Sequence, residues 1–357
     1  MANKIDSFLH QIVKQKASDL HFMASDLPRL RIYGELRPMS EERLAPSFVK
    51  EALEEIMPPK ARARFAEKEG ADFAYAVPDL ARFRVNVLRH LGGMGAVFRV
   101  IPAKALTLDE LNIPPAVRAL CRHTNGLVLV TGKTGSGKST TLAAMIDDIN
   151  QNMQGHILTI EDPIEFVHPR KKSLISQREV GVHAPSFAAA IHSALREDPD
   201  VVLVGELRDL ETISIAVSAA EMGVLVMGTL HTNGAGATID RIVNAFPADK
   251  QNHVRTMLST SIRGVISQQL IPRAGGKGGR VAALEVLINT PAVGNLIRQG
   301  KIDQLETTMQ SGSQHGMRTM DAAIQSLLDA GLITGLDAFR KAINKSRFEQ
   351  YKGSEPD

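Results

Sequence analysis

The sequence predicts an α/β fold in two parts, on three observations. Short uninterrupted apolar runs at 127–130, 157–160, 201–204, 224–227 and 281–286 suit strands buried on both faces of a largely parallel sheet. Segments with helical periodicity separate these runs. A glycine-rich loop, Gly132-Lys133-Thr134-Gly135-Ser136-Gly137-Lys138-Ser139, follows the first run directly and opens the next helical segment. At 357 residues the chain exceeds the roughly 100–200 of one domain, so two domains are expected.

The N-terminal part comes first. Ile5, Phe8, Leu9, Ile12 and Val13 recur at i, i+3, i+4, i+7 and i+8, the buried stripe of an amphipathic helix. Residues 19–22 and 30–33 alternate polar and apolar side chains as half-buried strands do, with Gly34-Glu35 as a turn. Further strands are expected at 72–75, 82–87 and 96–100, with one helical segment around 49–65. Residues 1–104 thus form a small α+β domain. Pro102 and Ile113-Pro114-Pro115 place a linker at 105–114, where a hinge is expected.

The second domain is expected over 115–345. Ser186 can cap a helix whose Phe187, Ile191 and Leu195 share a face, and Pro199 ends it before the next strand. Val254, Met257, Leu258, Ile262, Val265 and Ile266 read as one helical stripe. Gly275-Gly276-Lys277-Gly278-Gly279 reads as a flexible turn, the remainder as helices with Gly331 just past an end, and 346–357 as a flexible tail.

Composition narrows the function. Lys plus Arg number 42 against 39 Asp plus Glu, a net +3 too even to mark a nucleic-acid binder, and Trp is absent with only 3 Tyr to stack bases. One cysteine, Cys121, cannot make an internal disulfide or a cysteine zinc cluster. No stretch approaches the roughly 18 apolar residues of a membrane span, and the N-terminus lacks a signal peptide's apolar segment. A cytoplasmic protein is expected, with membrane contact only peripheral or through a partner.

The chemistry-bearing segments lie at strand exits. Glycines let the loop backbone curl so that its N–H groups face phosphates, and the helix N-terminus adds partial positive charge. ATP contacts are expected along Gly132, Thr134, Gly135, Ser136, Gly137, Lys138, Ser139 and Thr140. Lys138 would reach the β- and γ-phosphates, and Ser139 would offer its hydroxyl to Mg2+. The bland alternative is a glycine-rich turn. Glu161, Asp162 and Glu165 leave the 157–160 run, where one could polarise an attacking water; alternatively the first two only cap a turn before Pro163. Glu206 ends the 201–204 run in the manner of a Walker B acid, its longer arm favouring Mg2+ contact through water; surface solvation is the alternative. His231 could hydrogen-bond the γ-phosphate or orient the catalytic acid, although a lone histidine is more often structural.

The phosphate loop, residues 159–166, Val204-Gly205-Glu206-Leu207-Arg208-Asp209 and Gly228-Thr229-Leu230-His231-Thr232, in this order and spacing, resemble the secretion ATPase superfamily. Ala17-Ser18-Asp19-Leu20-His21-Phe22 and residues 292–299 narrow the resemblance to the type IV pilus retraction ATPases, the PilT-like branch, over about residues 3 to 345. The resemblance implies a PAS-like N-terminal domain, a RecA-like ATPase domain with C-terminal helices, and a homo-hexameric ring holding nucleotide between domains and neighbours. It implies ATP hydrolysis with Mg2+ coupled to pilus retraction and twitching motility. The partners implied are an inner-membrane pilus platform protein and a paralogous retraction ATPase, which would make the chain cytoplasmic and peripheral to the inner membrane. By motif position Glu165 looks like the catalytic glutamate, Glu206 the Walker B acid and His231 one member of the histidine box. Arg84 and Arg99 match arginines that approach the γ-phosphate, with exposed strand arginines as the alternative.

Two departures stand out. Val224 occupies the place of the box's second histidine. Ala292-Val293-Gly294-Asn295-Leu296-Ile297-Arg298-Gln299 replaces the usual Ala-Ile-Arg-Asn-Leu-Ile-Arg-Glu, losing two charged side chains. A divergent or accessory retraction ATPase is compatible with both. The rivals are a pilus-assembly or type II secretion ATPase, whose usual extra N-terminal domain and four-cysteine insertion find no match here, a DNA-translocating hexamer, and a non-hydrolysing nucleotide-gated scaffold.

Overall fold

The computed structural model describes residues 3–32, 34–68, 70–101, 105–275 and 279–353. Tyr33, Pro102, the centre of the glycine-rich turn at 276–278 and tail positions 354–357 lie outside them. The chain divides into two compact units, 1–104 with 163–167, and 105–162 with 168–357.

The first unit runs α1 (Asp6–Lys14), β1 (Asp19–Met23), β2 (Arg29–Ile32), β3 (Glu35–Pro38), α2 (Pro46–Ile56), α3 (Pro59–Lys68), β4 (Gly70–Val77), β5 (Ala81–His90) and β6 (Gly93–Ile101). Its strands form an antiparallel sheet in the order β3-β2-β1-β6-β5-β4. Period-2 alternation sends Leu20, Phe22, Phe83, Val85 and Phe98 to one face, where they pack with Leu9, Ile12, Val49 and Leu53 of the helices. Phe8 meets Phe22 edge to face at 5.0 Å. The opposite face carries Asp19, Arg84 and Arg99. The single helical segment expected at 49–65 is two helices. Pro58 pushes Met57 into the extended region at φ −71°, ψ 121°, which ends α2, and Pro59 opens α3. Arg62 closes the break by donating to the carbonyl of Met57 at 2.9 Å.

The second unit runs α4 (Pro115–Leu120), β7 (Gly126–Thr131), α5 (Lys138–Asn152), β8 (His156–Glu161), β9 (Leu174–Glu179), α6 (Phe187–Ala194), β10 (Val201–Val204), α7 (Leu210–Glu221) and β11 (Leu225–Leu230). It continues α8 (Ala235–Asn244), α9 (Gln251–Ser261), β12 (Ile262–Pro272), β13 (Arg280–Ile288), α10 (Pro291–Gln299), α11 (Leu305–Ser311), α12 (Met320–Asp329) and α13 (Gly335–Lys341). The sheet order is β13-β12-β7-β11-β10-β8-β9, parallel except that β13 runs antiparallel to β12. Every residue of β7, β10 and β11 is buried, as strands covered on both faces require. Leu127, Leu129, Val202, Val204 and Val226 serve one apolar layer, and Val128, Val130, Val201, Leu203 and Met227 the other. Ser186 caps α6 as expected, accepting from the amide of Ala189.

Two further expectations are corrected. The stripe at 254–266 is a helix only to Ser261; from Ile262 the chain is strand. The reason is Gly264: a Cβ there would lie 2.8 Å from a Leu120 methyl and 2.9 Å from the carbonyl of Leu287, so the backbone closes onto its neighbours as strand β12. The tail from 346 is not loose over its first part. Lys345–Tyr351 is a 3-10 helix, and Phe348 is fully buried in a small core with Ile271, Ile324 and Ala338.

His168 is a buried base whose Nδ1 has no hydrogen-bond partner among the described residues, and burial pushes its pKa down to about 4. The unfolded chain takes up this proton near pH 6.5 while the folded chain refuses it until about pH 4, so stability is lost as pH falls through that window. Between pH 7 and 5 urea unfolding is expected to weaken by about 2 kcal/mol more in the wild type than in His168→Gln. Equal pH slopes in the two proteins would refute this.

Candidate nucleotide site

The loop between β7 and α5 is shaped by glycines at left-handed angles: Gly132 at φ 139°, Gly135 at 77° and Gly137 at 88°. Two of these also make close approaches. A Cβ on Gly132 would lie 2.4 Å from the carbonyl of Gln268, and one on Gly137 2.7 Å from its Nε2. Only glycine fits either place. Gln268 then locks the loop: its Nε2 donates to the carbonyl of Ser136 at 2.7 Å, and its Oε1 accepts from Thr141 Oγ1 at 2.7 Å. This buried side chain on β12 ties the loop apex to the first turn of α5. From the sequence alone the residues just before it, up to Ile266, read as a helical stripe, so no strand is expected to carry Gln268. The available signal was Ser267-Gln268-Gln269, polar residues breaking an otherwise apolar strand.

Lys138 is buried at the first position of α5, and its Nζ donates to the carbonyls of Gly132 at 2.8 Å and Lys133 at 3.2 Å. Ser139 and Thr140 follow on the first turn, Ser139 exposed. Ser136 Oγ is buried with no hydrogen-bond partner among the described residues. A nucleotide's phosphates fit this cradle: its amides lie at a helix N-terminus, its glycines clear the space, and a buried ammonium and an unsatisfied hydroxyl lie within it.

The neighbouring strand exits deliver the polar groups beside the loop. Glu206 follows β10 and His231 follows β11, and parallel pairing brings them side by side. His231 Nε2 lies 3.3 Å from Glu206 Oε1, and its Nδ1 lies 3.5 Å from Thr134 Oγ1 on the loop. A carboxylate can only accept, so the proton belongs on Nε2, and Nδ1 accepts from the threonine hydroxyl. Glu206 is held from its other side by Arg208 Nε at 2.7 Å. Thr134, Glu206 and His231 are therefore brought together by direct contact. Glu161 is held near its own strand, accepting from Thr159 Oγ1 at 2.6 Å. Glu165 falls in the 163–167 segment that groups with the first unit, as do Arg84 and Arg99. The register sets Arg84 opposite Arg99 across β5–β6, and Arg99 Nε donates to Asp19 at 2.8 Å.

The two departures also find places. Val224 precedes β11 at the end of the strand remote from His231, about 20 Å along an extended chain, so a histidine there would not enter the cluster around Glu206. At Gly294 on α10 a Cβ would lie 2.9 Å from the carbonyl of Ser259, an approach of α10 to α9 that admits no larger residue without a shift.

A phosphate-binding loop on an interior strand of a largely parallel sheet, with a histidine and an acid on the next two strand exits, defines a P-loop ATPase. The Type II/IV secretion system protein model matches residues 1–334, and the chain belongs to that family. It is 51% identical to the type IV pilus retraction ATPase PilT of Pseudomonas aeruginosa, over 92% of this chain and 95% of that one. It is 49% identical to a twitching motility protein of Neisseria gonorrhoeae, over 96% and 92%. Among solved structures, that of the pilus retraction motor PilT with bound ADP superposes with a TM-score of 0.90 at 44% identity, covering 98% of this chain and all of the other.

Replacing Gln268 by Ala removes both tethers of the loop and leaves the Ser136 carbonyl without this donor. ATP affinity measured by calorimetric titration is expected to fall about tenfold or more, with the fold kept. Unchanged affinity would show that Gln268 only fills space.

Proposed function

We propose that this chain is the retraction motor of a type IV pilus, hydrolysing ATP in a homo-hexameric ring and working on an inner-membrane platform protein. The observation that carries the reading is the pairing of the Thr134–His231–Glu206 contact beside a glycine cradle with near full-length similarity to a retraction ATPase. In this reading the division at 104 separates a PAS-like unit from a RecA-like ATPase unit ending in helices, with 105–114 as the hinge. No helix among the described residues is long and apolar enough to cross a membrane, which suits a protein that reaches the membrane through its partners. A paralogous retraction ATPase remains a candidate partner, and an accessory motor a variant of the same reading.

The residues take the following roles. Lys138 and the loop amides hold the phosphates. Glu165 serves as general base toward the attacking water. His231 reports the γ-phosphate to Glu206. Mg2+, when bound with the nucleotide, neutralises charge on the phosphates and would be held by Ser139 and, through water, Glu206. Among the described residues no group of three or more His, Cys, Asp or Glu could hold an ion alone, which suits a metal carried largely by phosphate oxygens. Arg84 and Arg99 supply positive charge to the γ-phosphate. Like charges directly opposite on a sheet cost stability, Asp19 offsets only part of this, and an anion would relieve the rest.

Steady-state hydrolysis is expected to be lost in both Lys138→Ala and Glu165→Ala, with nucleotide binding kept only in the second. Arg84→Ala and Arg99→Ala should lower turnover, toward the roughly 10³–10⁵-fold that such arginines contribute elsewhere. Unchanged turnover in Glu165→Ala would move the base to another acid. In cells, deleting the chain is expected to leave surface pili abundant and twitching absent; loss of the pili themselves would identify an assembly motor.

A further inference from the structure

The start of α8 is held by side chains from the β12–β13 pair. Ser267 Oγ accepts from the amide of Gly234 at 2.9 Å, and Glu285 Oε1 accepts from the amide of Ala235 at 2.7 Å. Ser267 and Glu285 are directly paired across the two strands. The other carboxylate oxygen, Glu285 Oε2, accepts from the amide of Met320 at 3.2 Å, at the first residue of α12. One buried carboxylate thus closes the first turns of two helices, where the positive ends of both dipoles favour it. Burial pushes its pKa up, and the two amide donors pull it back.

The two helices belong to different parts of the unit. Helix α8 begins four residues after His231, and α12 lies in the C-terminal core with Phe348 and Ile324. The turn before α8 is itself tied together. Thr238 Oγ1 bonds Thr232 Oγ1 at 2.7 Å and donates to the carbonyl of Gly234 at 2.7 Å, so 232–238 is one hydrogen-bonded block. At the start of α12 Thr319 accepts from the amide of Ala322, and Glu285 supplies the acceptor for the separate amide of Met320. Because the carboxylate is shared, displacement of either helix strains a bond made by the other.

We propose that Glu285 is a positioning residue coupling the His231 turn to α12, so that nucleotide-dependent displacement of the turn is carried into the C-terminal helices through one carboxylate. This rests on the reading that His231 responds to the γ-phosphate, and the experiment separates the two claims.

Amide hydrogen exchange would be measured on the purified full chain with ADP and with ATPγS, for peptides covering the loop, the 228–238 turn and α12. In the wild type, both the turn and α12 are expected to exchange differently in the two nucleotides. Glu285→Gln, which puts an NH2 donor in place of one of the two accepting oxygens, is expected to keep the loop and turn responses and to lose that of α12. Its kcat should fall about tenfold with KM for ATP within about twofold, and Glu285→Asp should restore part of both effects. Should Glu285→Gln not fold, Met320→Pro removes the second donor together with a buried apolar side chain, and Met320→Ala removes the side chain alone; the α12 response is expected to be lost only in the first. A turn that ignores the nucleotide in the wild type would sink the His231 reading and this coupling with it. A responsive turn with an unresponsive α12, or an α12 response that survives Glu285→Gln, would sink the coupling alone. Loss of nucleotide protection at the loop in Glu285→Gln would show a general structural role and also overturn it.

Discussion

Close approach of the loop backbone to Gln268 is the constraint around which the ATPase unit is arranged. Gly132 and Gly137 have no room for a Cβ because that side chain and its carbonyl occupy the space, and the same side chain reaches past them to Ser136 and Thr141. The loop is therefore pinned on its β12 side. On its β11 side the contact is lighter, through Thr134 and His231 at 3.5 Å. A loop held firmly on one flank and loosely on the other gives the looser flank as the place where a bound phosphate can change an interaction.

Buried polar side chains mark the parts of this unit that must hold position. Ser267, Gln268 and Glu285 interrupt strands that are otherwise apolar, and each is buried. Isolated, such groups would cost stability; satisfied by backbone partners, they fix geometry instead. Their partners are the loop, the turn after His231 and the start of α12. The β12–β13 pair, lying on the edge of the sheet, thus acts as a frame to which three separately placed segments are referenced.

The first unit is built on a different plan. Its antiparallel sheet buries one face under three helices and leaves the other polar, and Asp19 and the two arginines stand there in cross-strand register. The antiparallel ladder, with its fixed pairing, sets the spacing of those charges more rigidly than a loop would. The same logic explains why the departures at Val224 and Gly294 differ in consequence. Val224 only precedes a buried strand, whereas Gly294 is required by the closeness of α9 and α10.

By itself the sequence determined the α/β class, the strand positions at 127–130, 157–160, 201–204 and 281–286, and the local chemistry of the loop. Each is a short-range property: a run of apolar residues, a period, or a fixed glycine spacing writes its meaning within a few residues. It misread 254–266, where the apolar residues fit a helical stripe and only the packing of Gly264 against Leu120 and Leu287 makes the second half a strand. It could not see Gln268 or Glu285 as parts of the site, because each acts on residues more than 30 positions away. Nor could it show that Val224 and His231, so near in one motif, stand at opposite ends of a strand. Those relations are decided by tertiary structure, since hydrogen-bond partners and strand ends exist only once distant segments have been packed into register.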